Sequence, residues 1–83
     1  MGWYVYMLRC ADGSLYTGVT TDVARRFAEH KSGRGAKYTR AHPPEAVVYR
    51  EACEGRGAAL RREAAIKKLP RAEKQRLAER GKI

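Results

Sequence analysis

Residues 3–9 and 14–19 are rich in Tyr, Val, Leu and Thr, and the Asp12-Gly13 pair between them marks a tight turn, so the chain is predicted to open with a β-hairpin. The length of that turn decides which side chains share a face. A two-residue loop sets Tyr6 against Val19 and leaves Tyr6 and Tyr16 on opposite faces. A three-residue loop, Ala11 to Gly13 with Gly13 in the left-handed conformation, shifts the register and brings both tyrosines to one face. The second register is expected if the tyrosines work together.

The pattern then changes period. Thr20-Thr21-Asp22 offers capping oxygens ahead of Val23, which predicts a helix from about Val23 to Lys31 that ends at Gly33. Val23 and Phe27, one turn apart, are its core contacts, and Arg26 and His30 fall together on the flank of that stripe. Residues 32–44 mix glycines, bases and two prolines and read as a basic loop. Ala46 to Arg50 reads as a third strand. A second helical pattern runs from Gly57 to Leu69, with Leu60, Ala64 and Ile66 as its apolar positions and Pro70 as its stop. Glu63 lies three residues after Leu60 and three before Ile66, on or beside the inward stripe. Arg71 to Arg80 is a last, highly charged helix with only Leu77 and Ala78 to bury. These elements, a hairpin, a third strand and helices, read as an α+β fold with one compact layer of helices on a small sheet.

A chain of 83 residues buries only about 60 to 65% of its unfolded surface, which points to one domain over residues 1–83. Its 18 Lys and Arg against 9 Asp and Glu draw it to polyanions, with nucleic acid the expected partner. Twelve of those bases are Arg, which suits bidentate phosphate contacts. Cys10 and Cys53 are too few for a disulfide framework and form no paired metal-ligand motif, so free thiols in the cytoplasm are expected. The apolar start is cut short by Arg9 and carries no basic leader, so it reads as a strand and excludes a membrane span there.

Against that background an ordered set of polar residues carries chemistry. Cleaving a phosphodiester requires an activated oxygen nucleophile, relief of charge on phosphorus and help for the leaving oxygen. Tyr6 and Tyr16 are the candidates to activate or hold a water. Arg26 suits the non-bridging oxygens, and His30 suits proton transfer or the relief of Tyr6. Glu63 is the candidate metal ligand, and a single carboxylate favours one Mg²⁺ (or Mn²⁺) that keeps several waters. Taken singly, each residue has a plainer role. The tyrosines can be strand packing, Arg26 and His30 a solvated helix face, and Glu63 an ion pair with Arg61, Arg62 or Lys67.

Together these residues resemble the GIY-YIG nuclease family, which is named for two short strand motifs followed by an Arg and a His on a helix and a later Glu. Tyr4-Val5-Tyr6 stands at the first motif and Tyr16-Thr17-Gly18 at the second, with Arg26, His30 and Glu63 following in the family's order. The match spans residues 3 to about 69. Gly33-Arg34-Gly35-Ala36-Lys37-Tyr38-Thr39-Arg40 is similar to the loop of the small stand-alone bacterial members (UPF0213-like). The resemblance implies a small three-stranded antiparallel sheet, made of the hairpin and the third strand and flanked by helices, and a metal-dependent endonuclease in which Tyr6 activates water, Tyr16 positions it, Arg26 stabilises the phosphorane, His30 supports Tyr6 or contacts phosphate, and Glu63 ligates Mg²⁺. Tyr4 replaces the glycine of the first motif, and the chain has no Asn to match a late Asn used by some members.

The expected activity is hydrolysis of nucleic acid, DNA ahead of RNA, in DNA repair or processing, with a protein partner as one source of target choice. The alternative is a non-catalytic binding module in which Arg34, Lys37, Tyr38, Arg40 and the last helix hold phosphates and stack a base. A third class, a subunit-interaction protein docking through Leu60, Ile66, Leu69 or Leu77, would reveal itself by concentration-dependent dimers.

Overall fold

A computed structural model describes residues 2–80, leaving Met1 and residues 81–83 of the expected domain outside the described residues. Strands β1 (Trp3–Cys10) and β2 (Leu15–Thr20) pair antiparallel, with Tyr6 opposite Gly18 and Leu8 opposite Tyr16. The turn between them is the three-residue form. Cys10 N–H donates to the Ser14 carbonyl at 2.8 Å, Gly13 N–H donates to the Cys10 carbonyl at 2.9 Å, and Gly13 has φ +86°. That dihedral lies in the left-handed region, which glycine enters without steric cost. The Asp12 carboxylate accepts from the backbone N–H and the hydroxyl of Ser14, at 3.0 and 2.6 Å, and pins the bend. Tyr6 and Tyr16 therefore share one face.

The third strand is longer than the apolar run that announced it. Strand β3 (Pro44–Cys53) pairs antiparallel with β1 along its whole length and gives the order β2-β1-β3. Polar and small residues are drawn into it at both ends because β1 is central and offers backbone partners as far as Trp3. Pro44 is tolerated as the first residue of the strand, where no ladder N–H is needed.

Helix α1 (Val23–Lys31) begins as its capping signal predicts, with the Asp22 carboxylate accepting from Arg25 N–H at 3.0 Å. The expected basic loop is not wholly irregular, because residues Lys37–Ala41 form a short helix, α2. No Gly or Pro interrupts those five residues. Two backbone bonds to the Ala36 carbonyl, from Thr39 and Arg40, start the turn. Helix α3 (Arg56–Lys67) stops before Leu69, since Lys68 and Leu69 N–H reach back only three residues, to Ala65 and Ile66. Helix α4 (Arg71–Arg80) follows Pro70.

The sheet separates two apolar clusters. On one face Val5, Met7 and Tyr49 pack with Ile66 of α3 and with Leu77 and Ala78 of α4. On the other, Tyr6 and Leu8 pack with Val23 of α1, flanked by Phe27, Tyr16 and Val47. The inward stripe of α3 differs from expectation. Ala59 and Ile66, seven residues apart, are fully buried, whereas Leu60 is 36% exposed and Ala64 faces solvent. Glu63 keeps an inward bias because it stands four residues after Ala59 and three before Ile66. A second tie holds α3 to β3, where Glu51 accepts from the Tyr49 hydroxyl and from Arg62 Nε.

Candidate active site

The bulged hairpin puts Tyr6 under α1, and the next turn of the helix delivers His30 to it. The Tyr6 hydroxyl lies 2.8 Å from His30 Nε2, and both side chains are almost completely buried. His30 is thus the deepest polar residue of α1, not a member of its flank. Gly18 makes the room: a Cβ there would stand 2.6 Å from the Tyr6 oxygen and 2.8 Å from its ring carbon. The glycine of Tyr16-Thr17-Gly18 is required by this close approach.

Two short contacts on the far side of the imidazole assign its proton. His30 Nδ1 is 2.7 Å from Thr39 Oγ1, and the Thr39 hydroxyl is 2.9 Å from the Ala36 carbonyl. The Thr39 proton goes to that carbonyl, so Thr39 accepts from His30, and Nδ1 carries the hydrogen. The Ala36 N–H, at 3.4 Å from Nδ1, is too long to compete. His30 Nε2 is then a bare acceptor facing the Tyr6 O–H. Gly35 lets the loop run against this ring, since a Cβ there would stand 2.8 Å from His30 Cα and collide with Nδ1. Neither Thr39 nor Gly35 stood out in the sequence as a site residue. The only trace of them was their place in Gly33-Arg34-Gly35-Ala36-Lys37-Tyr38-Thr39.

The electrostatics follow from burial. Burial lowers the His30 pKa below 6.5, and the Arg26 guanidinium lowers it further, so the ring is neutral at pH 7. Burial raises the Tyr6 phenol well above its usual 10.0, the Tyr16 and Glu63 charges add to this, and Arg26 opposes it. Tyr6 therefore rests as a phenol hydrogen-bonded to a neutral base.

The remaining candidates surround this pair. Tyr16 is half-buried with its ring edge-on to His30, centroids 5.1 Å apart, and its centroid is 6.4 Å from that of Tyr6. Arg26 is half-buried, and its Nη1 donates to Glu29 Oε1 at 2.9 Å. That bond raises its pKa, so the guanidinium is always charged. Glu63 is also half-buried, and its charge reaches the Tyr6 phenol. Its Oε2 pairs with Lys67 Nζ at 3.1 Å, the plain ion pair available to it on its own helix.

Glu63 is a candidate metal ligand outside any ready-made cage, since the described residues contain no group of three His, Cys, Asp or Glu side chains able to enclose an ion. A carboxylate of this kind, half-buried and within electrostatic reach of Tyr6, fits one hydrated Mg²⁺ or Mn²⁺ held jointly with a phosphate. It does not fit a protein cage or a two-metal clamp.

The basic residues assigned to nucleic-acid contact are all outward. Arg34, Lys37 and Arg40 are exposed, as is Tyr38 at 39%. The Tyr38 ring stacks with His42, with centroids 4.3 Å apart, and with Tyr16 at 5.9 Å.

Comparison with known proteins identifies the family. Residues 2–76 match the GIY-YIG catalytic domain. A UPF0213 protein of Desulfotalea psychrophila is 53% identical over 76 residues, covering 90% of this chain and 69% of the relative. One from Natronomonas pharaonis is 55% identical over 74 residues, covering 89% and 87%. The solution structure of the UPF0213 protein of Bacillus halodurans is 49% identical and superposes with a TM-score of 0.58, covering 93% of this chain and 82% of that one. An E. faecalis protein solved in solution is 46% identical with a TM-score of 0.62, covering 92% and 81%. Fold, motif order and sequence agree over nearly the full length, and the chain belongs to the GIY-YIG family.

Proposed function

We infer that this protein is a metal-dependent endonuclease whose base is the Tyr6–His30 couple. The observation that carries the reading is the buried 2.8 Å contact between the Tyr6 hydroxyl and Nε2 of a neutral His30. A phenol with a raised pKa cannot wait as phenolate at neutral pH, so it needs a place for its proton when it takes one from water. His30 Nε2 is that place. Thr39, by fixing the proton on Nδ1, keeps Nε2 free to receive it.

In this scheme Tyr6 abstracts a proton from the attacking water as its own proton passes to His30, and Tyr16 holds the water in line. Arg26 neutralises charge on the non-bridging oxygens of the five-coordinate phosphorus, for which a phosphate must replace Glu29 as the partner of part of its guanidinium. Glu63 holds the divalent ion, which supplies charge neutralisation at the phosphate and at the leaving oxygen. The substrate is nucleic acid, DNA first and RNA second, in DNA repair or processing. The two free thiols suit a cytoplasmic protein. No helix among the described residues is long and apolar enough to cross a membrane. Target choice falls to the loops, to nucleic-acid shape or to a protein partner.

Purified protein with Mg²⁺ or Mn²⁺ and a panel of DNA and RNA substrates should produce nicks that disappear in Tyr6→Phe and Glu63→Ala. The loss at Tyr6 should be about 10²-fold or more, as for a general base. Equal cleavage by all three proteins would mean a contaminating nuclease and would sink the assignment.

A second reading, a basic binding module without turnover, draws on the Glu63–Lys67 ion pair and the depth of Tyr6, both of which a purely structural role explains. It requires salt-sensitive binding unchanged in Glu63→Ala and no turnover with any metal.

A further inference from the structure

A small cavity of about 160 Å³ opens between the hairpin turn, α2 and α4, lined by Ser14, Leu15, Tyr38, Arg71 and Lys74. We propose that it is a phosphate-binding subsite that seats a nucleotide flanking the scissile one on the cleaved strand.

Four observations support it. The first is charge. Lys74 is half-buried and has no ion-pair partner among the described residues, although Glu73 beside it is taken up by Arg76 at 2.8 Å. A lysine whose stem is partly covered and whose charge is not taken up by a neighbouring carboxylate is placed to hold an anion at the cavity. The second is that Arg71 is already oriented. Its Nη2 donates to the Gly13 carbonyl at 2.9 Å, which anchors the side chain across the cavity mouth and leaves other guanidinium hydrogens for a ligand. The third is that the acid at the turn is used elsewhere, since Asp12 accepts from Ser14 and pairs with His42 Nδ1 at 2.7 Å.

The fourth is position. Tyr38 lines the cavity, and it lies one ring from Tyr16, which lies one ring from His30. Steps of 5.9 and 5.1 Å join the cavity wall to the proposed base. A strand with its scissile phosphate at Arg26 and Tyr6 that runs past Tyr16 and Tyr38 would carry a flanking phosphate toward the cavity that Lys74 lines. The volume is well below the roughly 300–1,000 Å³ of a site for a whole small molecule, and suits one repeating unit of a polymer. None of this requires turnover; the nuclease reading enters only in setting which phosphate is seated.

The test measures binding apart from cleavage. Anisotropy of a short fluorescein-labelled single-stranded DNA is followed in EDTA across a salt series. Lys74→Ala should weaken binding about five-fold and make the salt slope shallower by about one unit, while Lys74→Arg restores both. Arg56→Ala removes an equal charge from the start of α3, at the opposite end of the sheet from the turn, and should change affinity less than about two-fold. Amide shifts on adding a DNA dinucleotide should centre on Ser14, Leu15, Tyr38 and Lys74. Equal weakening by Lys74→Ala and Arg56→Ala, shifts centred elsewhere, or no binding by the wild type would overturn the subsite. Binding at the cavity by a protein that cuts nothing would count against the nuclease reading alone.

Discussion

Thr39 Oγ1 lies 2.7 Å from Nδ1 of His30, on the opposite side of the ring from the Tyr6 hydroxyl. One hydroxyl thereby determines which nitrogen of a buried imidazole is free to act as a base.

Replacing Thr39 by Val should keep the side-chain volume but leave Nδ1 unpaired. Losing a buried hydrogen-bond partner costs about 1–3 kcal/mol of stability. With the tautomer no longer fixed, cleavage should fall about ten- to hundred-fold. Thr39→Ser retains the hydroxyl and should recover most of the activity, as read by single-turnover nicking. If Val and Ser behave alike in rate, the hydroxyl does not set the proton.

Gly18→Ala places a methyl group against the phenol of Tyr6, its nearest approach being 2.6 Å from the oxygen. The tyrosine must swing away from His30, at a packing cost of about 1–3 kcal/mol. Cleavage should fall nearly as far as in Tyr6→Phe, and the His30 ring resonances should shift. Full activity in a folded Gly18→Ala protein would show that the Tyr6–His30 contact is dispensable.

The pH profile follows from the neutral imidazole. Cleavage needs His30 unprotonated, and its folded pKa is depressed, so the acidic limb of log kcat/KM should fall below pH 6.5. The stability change has the same sign. As pH drops through about 6.5 the unfolded chain gains a proton on this histidine before the folded one does, and stability is lost until the lower folded pKa is passed. Titration of the His30 ring by NMR gives that folded value directly, and a midpoint at or above 6.5 would contradict the buried, neutral assignment.

Leu60 and Ile66 separate the two faces of α3. Leu60→Ser at an exposed position should change stability by no more than about 0.5 kcal/mol, whereas Ile66→Ala should cost about 2–5 kcal/mol. Chemical denaturation of both variants decides the matter. A large loss at Leu60, growing with protein concentration, would indicate that this leucine is covered in an oligomer.

Much of this architecture is legible in local chemistry. Asp12-Gly13 marks the turn but fits both a two-residue and a three-residue loop, and only the expectation that the tyrosines share a face chose the bulged form that the positive φ of Gly13 and the strand register then show. Asp22 specifies the start of α1 locally. Where the reading failed, a distant contact decides. Leu60 looked inward because it is the larger side chain, but α3 turns Ala59 to the sheet, where a small residue allows close approach. Helix α2 is a single turn, and its Thr39 gains its role from a ring nine residues away. Gly18 and Gly35 matter for the space they leave beside Tyr6 and His30, which no property of a glycine in isolation reveals.

Tyr6 and His30 are among the largest fully buried side chains of the molecule. In most enzymes the reactive groups line a cleft and can be exchanged at small cost to the fold, but here the proposed chemistry and the hydrophobic interior share the same atoms. Melting temperature and turnover should therefore move together across any library of variants at these positions. Selection for a more robust fold would act directly on the proposed reaction centre, and drift in the chemistry would be limited by what the interior can accommodate.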